Sequence, residues 1–435
     1  MRKIYPFERA QALVVIAGAF LALLGMVALA IDGSMVYSDR RDLQSAADNA
    51  SMSAAAVAAI TMDTYAMTYQ SFECYAPGVI DAELQALNAA ISRAGTYGYM
   101  IDTDISDNNG VQITCRMVSN AGLVERYLDV AVKITHQSHT GFTRFVIPNG
   151  VPNTVEAISR VQPRRSLTLG NAIASLGFDC GGVDMNGNGT VVIDGGGIFS
   201  NSCIDFAGNT DITINVSIGG IGYLTTYTEV GNVDINVIPE QASEGLAIVD
   251  IRTPECITQP DYGALEVEGT MIIDGGRYDY INLNGDDHLI LNPGLYCLYG
   301  NFQTNGDQIL EVNPDAPLNQ GVTIYMAAGD LLLNGNSEVR LRAPAIDQPP
   351  AIKGLLIYMP PSNPGTITLT GTLESWFRGT VYAPTGDINV GGTSDIQYAT
   401  ELVGGSVHVN GTATIIITDD ASVNYTRPPL VELYK

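Results

Sequence analysis

Residues 8–58 read ERAQALVVIAGAFLALLGMVALAIDGSMVYSDRRDLQSAADNASMSAAAVA, and this one stretch carries two kinds of surface. Positions 10–31 hold 22 residues without a charge. As a helix they reach about 33 Å, enough to cross a hydrocarbon core of roughly 30 Å. Arg2, Lys3 and Arg9 precede them with Glu8 as the one acid, so residues 1–9 form a basic leader that stays cytoplasmic and the chain after Ile31 is sent outside. Beyond Ile31 good helix formers continue, with no proline before Pro77. Val36, Leu43, Ala50 and Val57 recur every seven residues, and Ala46, Ala47 and Ala54 fill the same stripe. A face so narrow lets another surface approach closely, either the domain's own sheet or a helix of another subunit.

A removable signal peptide competes with a retained span, because Ala28, Leu29 and Ala30 form an A-x-A site with Gly25 upstream. The apolar run is long for a signal core, however, and helix-forming sequence follows it at once. A type IV prepilin signal needs a Glu five residues after the cut, and counting from Ala10 that position is Val15. After Pro77-Gly78 the pattern predicts a second helix over residues 81–94, then strands at 111–118, 127–135 and 154–161. Residues 32–165 therefore read as an α+β domain.

The order and spacing of several of these pieces resemble the amino-terminal segment of TadG-like proteins of Tad (tight adherence, Flp) pilus assembly. The matching positions are the charged-Ala-Gln-Ala start at residues 9–12, the apolar span, Asp32 just outside the membrane, and the Arg-Arg-x-Leu-Gln-x-Ala-Ala-Asp-x-Ala run at residues 40–50. Residues 127–150 (YLDVAVKITHQSHTGFTRFVIPNG) and 153–163 (NTVEAISRVQP) are similar to the group's closing strands. Ala10 stands where Gly is more usual. The resemblance implies a pilus-related protein whose partners are the membrane, through residues 10–31, and other pilin or pilus-assembly subunits. Family members often carry a von Willebrand type A domain with a D-x-S-x-S metal site. Here Asp32-Gly33-Ser34-Met35-Val36 lacks the second Ser, so metal-dependent adhesion of that type is not supported.

Composition separates the rest of the chain. The 435 residues contain 46 Asp and Glu against 21 Lys and Arg. Residues 1–165 carry a net charge of −2, whereas residues 166–435 hold 31 acids and 8 bases, net −23. A change of this size beside Pro163-Arg164-Arg165 marks a domain boundary. The acidity disfavours contact with nucleic-acid phosphates. From Leu167 on, short β-branched runs alternate with Gly, Asn and Asp: TVVIDGGG, DITINVSIGG, TMIIDGG, HLILNPGLY, TITLTGT, SVHVNGT, TATIIITDD. Turn glycines Gly187, Gly208 and Gly231 lie 21 and 23 apart, Gly285 and Gly306 21 apart, and Gly371, Gly392 and Gly411 21 and 19 apart. This period points to a right-handed parallel β-helix, a solenoid of around a dozen coils, with loops leaving it near 240–265 and 343–366. Two packed β-sandwiches are the alternative. Residues 291–300 and 378–392 also look like the passenger region of some TadG-like proteins. The fold class is thus α+β followed by all-β.

Six cysteines without a C-x-x-C pair fit export and structural disulfides. Fifteen pairings are formally open, and nearest-neighbour bridging, Cys74–Cys115, Cys180–Cys203 and Cys256–Cys297, is the expectation adopted.

Few residues suggest chemistry. Asp184, Asn186 and Asn188, with Asp194 further on, match the opening of an EF-hand calcium loop, but position 12 is Gly195 and no helix flanks it; a solvated corner competes with structural Ca2+. Asp286-Asp287-His288 could supply paired carboxylates for a polysaccharide enzyme, yet neighbours on a strand face opposite ways, and Arg277 and Arg340 are the nearest bases in sequence. His136 and His139 resemble a metal pair with no acid or Cys adjacent. Trp376, Phe377, Tyr382 and Tyr398 make a carbohydrate-stacking patch or a core ladder. No cofactor loop is present. The expected protein is a single-span bacterial membrane protein, not an enzyme, that presents an acidic rod outside the cell membrane for pilus assembly or adhesion, in surface filaments or beside them. A pilus-independent adhesin meeting an extracellular surface or polysaccharide is the second reading, and a tethered polysaccharide enzyme the third.

Overall fold

The computed structural model describes residues 8–106, 109–121, 123–145, 147–215, 220–334, 336–392 and 396–435; most of the basic leader, residues 1–7, lies outside the described residues. Helix α1 (Glu8–Thr64) is one uninterrupted rod of 57 residues, about 85 Å at 1.5 Å per residue. Helix α2 (Pro77–Thr96) starts on a proline, whose missing N–H costs nothing in a first turn. It presents Val79, Ala82, Ala86, Ala90 and Ala94, all buried, at a spacing that keeps methyl groups on one face. Strands β1 (Gly110–Asn120), β2 (Leu123–Ser138) and β3 (Val151–Gln162) pair antiparallel. Leu128, Val130, Val132 and Ile134 of β2 and Val155, Ala157 and Val161 of β3 form one core with the alanine-rich half of α1 and with α2. Cys74–Cys115 ties the segment before α2 to β1.

The sheet has a fourth strand that the boundary at 165 assigned to the acidic half. Leu430–Leu433, at the chain's carboxy end, pairs antiparallel with β3, Val161 opposite Val431. Just before it, Arg165 and Arg427 exchange backbone hydrogen bonds. The acidic half therefore leaves the base and returns to the same place.

Between these points every strand pair of the two large sheets is parallel, which removes the antiparallel sandwiches. The aligned glycines sit opposite one another: Gly187 on Gly208, Gly208 on Gly231, Gly285 on Gly306, Gly392 on Gly411. The order of the levels differs from chain order. In the ten-stranded sheet Asp234–Ile235, Asp211–Asn215 and Thr190–Asp194 are followed by Thr414–Thr418 and then, in reverse sequence order, by strands back to Thr270–Ile273. The chain enters mid-stack, climbs three levels, crosses to the far end and climbs seven more, until Gly411 lies on Gly187. Among the described residues this sheet has ten levels, against the dozen coils expected. The segment 240–265 is no free loop: Leu246, Ile251 and Cys256 are buried along the outside of the stack against Phe199, Tyr382, Tyr358, Tyr325 and Cys297. Tyr382 donates to Val249 O at 2.7 Å, Tyr358 donates to Ile251 O at 3.0 Å, and Cys256–Cys297 closes the far end. Likewise 343–366 contains the buried strand Leu355–Tyr358.

Gly208 adopts φ +96°, and a Cβ there would lie 2.2 Å from Gly187 O. Gly208→Ala is expected to destabilise the rod by at least about 1–3 kcal/mol from backbone strain, with the clash added. Urea unfolding of the native and substituted chains measures it, and an unchanged midpoint would remove the glycine ladder's structural role.

Candidate functional site at the end of the apolar helix and the base of the acidic half

The first half of α1 is unlike the second. Its window of highest hydropathy is 0% buried, and side chains from Leu13 to Leu29 stand clear of the rest of the protein. It is one helix long and apolar enough to cross a membrane. The change comes at Asp32, 2% exposed. Its carboxylate accepts the N–H groups of Gly141 at 2.8 Å, Phe142 at 3.0 Å and Thr143 at 2.5 Å, and the Thr143 hydroxyl at 2.5 Å. The hydroxyl and then the backbone donors outweigh desolvation and hold its pKa down at about 2. One turn on, Asn153 donates to Val36 O at 3.0 Å. The loop between β2 and β3 is thereby fastened to the helix at the end of the apolar span.

The small-residue stripe is covered from within the chain. Leu43, Ala50 and Ala54 are fully buried, with Val36 and Val57 half-buried at its edges. Ser51 Oγ meets Ser159 Oγ of β3 at 2.8 Å in the same contact. Within the chain this face packs on the domain's own sheet and on α2.

In the acidic half, Asp184 and Asn186 of the calcium-like motif lie on one strand, Asn188 in the turn after it and Asp194 on a strand of the other sheet. Asn186 donates to Asp184 on its own strand, Asn188 accepts from Asn209 at 3.0 Å, and Asp194 accepts from Asn215 at 2.7 Å. Among the described residues no group of three His, Cys, Asp or Glu converges as a metal site. Asp287 accepts the N–H groups of Gly269 at 2.8 Å and Asn284 at 3.0 Å, capping turns, while His288 turns to Glu311 at 2.9 Å. Arg340, distant in sequence, reaches the same Glu311 at 3.4 Å. His136 lies edge-on to Tyr99, and His139 falls just beyond β2. Phe377 and Tyr398 stack inside the rod at 5.2 Å, Tyr382 is buried under the crossing segment, and Trp376 is half-buried apart from them beneath the Arg378 guanidinium.

Sequence reading missed one constellation. Ser406 and His408 share a strand face, 3.0 Å apart, and Asp184 lies 3.6 Å from the other side of the imidazole. The closing contact of the stack brings Asp184 there from more than two hundred residues away, and no local pattern announces it. It is not arranged as a nucleophilic triad. The Ser406 hydroxyl donates to Asp387 at 2.6 Å, which directs its proton away from the imidazole.

Two buried acids mark the junction of rod and base. Glu401, fully buried, accepts the Thr168 N–H at 3.0 Å and hydroxyl at 2.6 Å. Asp419 accepts Gln70 of the base at 2.5 Å and Asn424 at 2.8 Å. Burial pushes both pKa values up, and the Asp419 charge adds to the rise at Glu401. Arg427 lies within electrostatic reach of Glu401.

Residues 10–57 match the family model described as putative Flp pilus-assembly TadE/G-like. This relates the amino-terminal segment to Tad/Flp pilus assembly. Among solved structures, the competence-associated pilin ComZ from Thermus thermophilus is similar at 11% identity over 81% of this chain and 96% of that one, with a TM-score of 0.27, too loose to establish a shared fold. No curated protein matches the sequence.

Two outcomes are expected. Asp32→Ala should release the Gly141, Phe142 and Thr143 amides to fast hydrogen exchange while β2 and β3 stay protected; in the native chain the tether, set by a lowered pKa, holds above the ordinary carboxylate range and is lost only as pH falls through about 2. At the junction the raised acids bind protons more tightly when folded, so their cost is absent at low pH and grows as pH rises. Glu401→Gln should therefore melt above the native chain at about pH 8, with the gap closing toward about pH 5. A gap constant over that range would show a carboxyl of ordinary pKa.

Proposed function

We propose that this chain is a non-enzymatic structural component of a bacterial Tad/Flp-type pilus or of its assembly machinery. In this reading one amino-terminal helix, residues 10–31, anchors it in the cell membrane with the basic leader inside. Residues 32–165, completed by the returning strand, form a pilin-type base, and the acidic part between them is a right-handed parallel β-helix displayed outside for assembly or adhesion. In-register parallel pairing at a period near 21 residues supports the β-helix, and the general right-handedness of parallel crossovers supports its hand. The observation that carries the reading is the continuity of α1: a bare apolar half runs without a break into a half packed in its own domain, within the segment that matches the pilus-assembly model. Three disulfides support an oxidising space for the rest.

Shearing surface filaments from native cells and mapping this protein's amino-terminal peptide by mass spectrometry in filament and membrane fractions tests it. Recovery in filaments identifies a subunit, and confinement to membranes with residues 2–31 intact identifies an anchored assembly factor. Uniform recovery in the medium, with the span removed and no filament association, overturns the proposal in favour of a released adhesin.

A further inference from the structure

Strand β3 and helix α1 run side by side away from the bilayer. Asn153 meets α1 at Val36, and Ser159, six residues on, meets it at Ser51. Six strand residues advance about 20 Å and fifteen helical ones about 22 Å, so the two elements climb together. The loop that precedes β3, residues 139–150, therefore lies at the membrane-proximal end of the base. Asp32, the first residue past the span, holds that loop by the backbone of residues 141–143. At this level the loop leaves Phe142 52% and Ile147 43% exposed, and the helix leaves Ile31 39% and Met35 43% exposed.

We propose that the loop at residues 139–150 is a second membrane contact, seating Phe142 and Ile147 in the headgroup–acyl boundary beside the helix and so fixing the base against the bilayer. This rests on the reading of residues 10–31 as a membrane span. A lipid surface is the occupant because continuity with the span already puts it there: one residue of helix is about 1.5 Å, so the loop backbone bound to Asp32 cannot stand far from the bilayer surface. An aromatic ring and a branched aliphatic side chain suit that boundary, where one side is apolar and the other wet. Two attachments rather than one restrain the tilt and rotation of α1, and through the packed base they set the direction in which the rod points.

The test uses the full chain in phosphatidylcholine vesicles, with the one native tryptophan removed by Trp376→Phe. Into this background Phe142→Trp and Phe20→Trp are introduced separately, and quenching by lipids brominated at shallow and deep acyl positions is read from each. The expected result is loss of emission and a blue shift for Phe142→Trp with shallow bromines, deep quenching for Phe20→Trp, and no quenching for the unsubstituted chain, whose one tryptophan is Trp376. Phe142→Trp emission that is red and unquenched while Phe20→Trp is quenched overturns the loop contact alone. Unquenched Phe20→Trp overturns the span itself, and the loop contact with it.

Discussion

The pairing of β3 with the chain's last strand governs the architecture of the acidic half. It brings the beginning and end of that half to one point, with Arg165 and Arg427 hydrogen-bonded backbone to backbone. A stack wound from one end to the other would leave its ends about 43 Å apart at 4.8 Å per level. The chain instead enters mid-stack, and the levels wound last close on those wound first, Gly411 on Gly187. This arrangement needs a crossing along the outside, and residues 242–260, reaching roughly 60 Å if extended, are long enough for it. The crossing buries an apolar row, Leu246, Ile251 and Cys256, and its carbonyls accept the hydroxyls of Tyr382 and Tyr358. What resembles a loop in sequence is thus a strap, held at the far end by Cys256–Cys297.

The same economy applies to α1, whose two halves have different surroundings along one axis: one is bare and apolar, the other packed in its own domain. The bare half mixes alanines with exposed Leu, Val, Ile and Phe, whereas the packed half buries chiefly alanines with Leu43, Ser51 and Met62, so that β2, β3 and α2 can approach closely. The change of surroundings falls at a single buried carboxylate, Asp32, satisfied by backbone donors rather than by a cation. An anion so held is met by N–H and O–H donors, and the loop it captures is fixed to the helix at the residue where the apolar run ends.

Much of this was legible in sequence. The long apolar helix, the second helix and the three strands of the base followed from charge-free length, proline position and alternation, with boundaries longer in the structure by a few residues. The glycine period was legible because the turns stack in register, and at Gly187, Gly208 and Gly231 the backbone of the neighbouring level comes too close for a Cβ. The order of the levels was not: a repeat gives the height of a level but not which level follows which, since every parallel contact looks alike locally. The Ser406, His408 and Asp184 cluster stayed hidden for the same reason, and so did the last strand, four residues with no periodic signal of their own. Asp32 showed itself as a position in a resemblance, but its partners in residues 141–143 depend on tertiary contact.

The composition that seemed to withhold function explains itself through the stacking. With 31 acids and 8 bases, residues 166–435 cannot answer each carboxylate with a cation. In-register levels supply amides instead. Asn215 donates to Asp194, Asn292 to Asp274 and Asn313 to Asn292, at 2.7, 2.7 and 2.8 Å, while Asn282 donates to Glu266 at 2.8 Å and Gln303 to Asn282 at 3.1 Å. Several of these pairs stand 21 residues apart, the period of the glycines. An amide can accept on one side and donate on the other, so a column of them passes satisfaction from level to level and ends on a carboxylate. Side chains committed in this way are satisfied from level to level, and with 31 acids against 8 bases the surface they make is strongly negative.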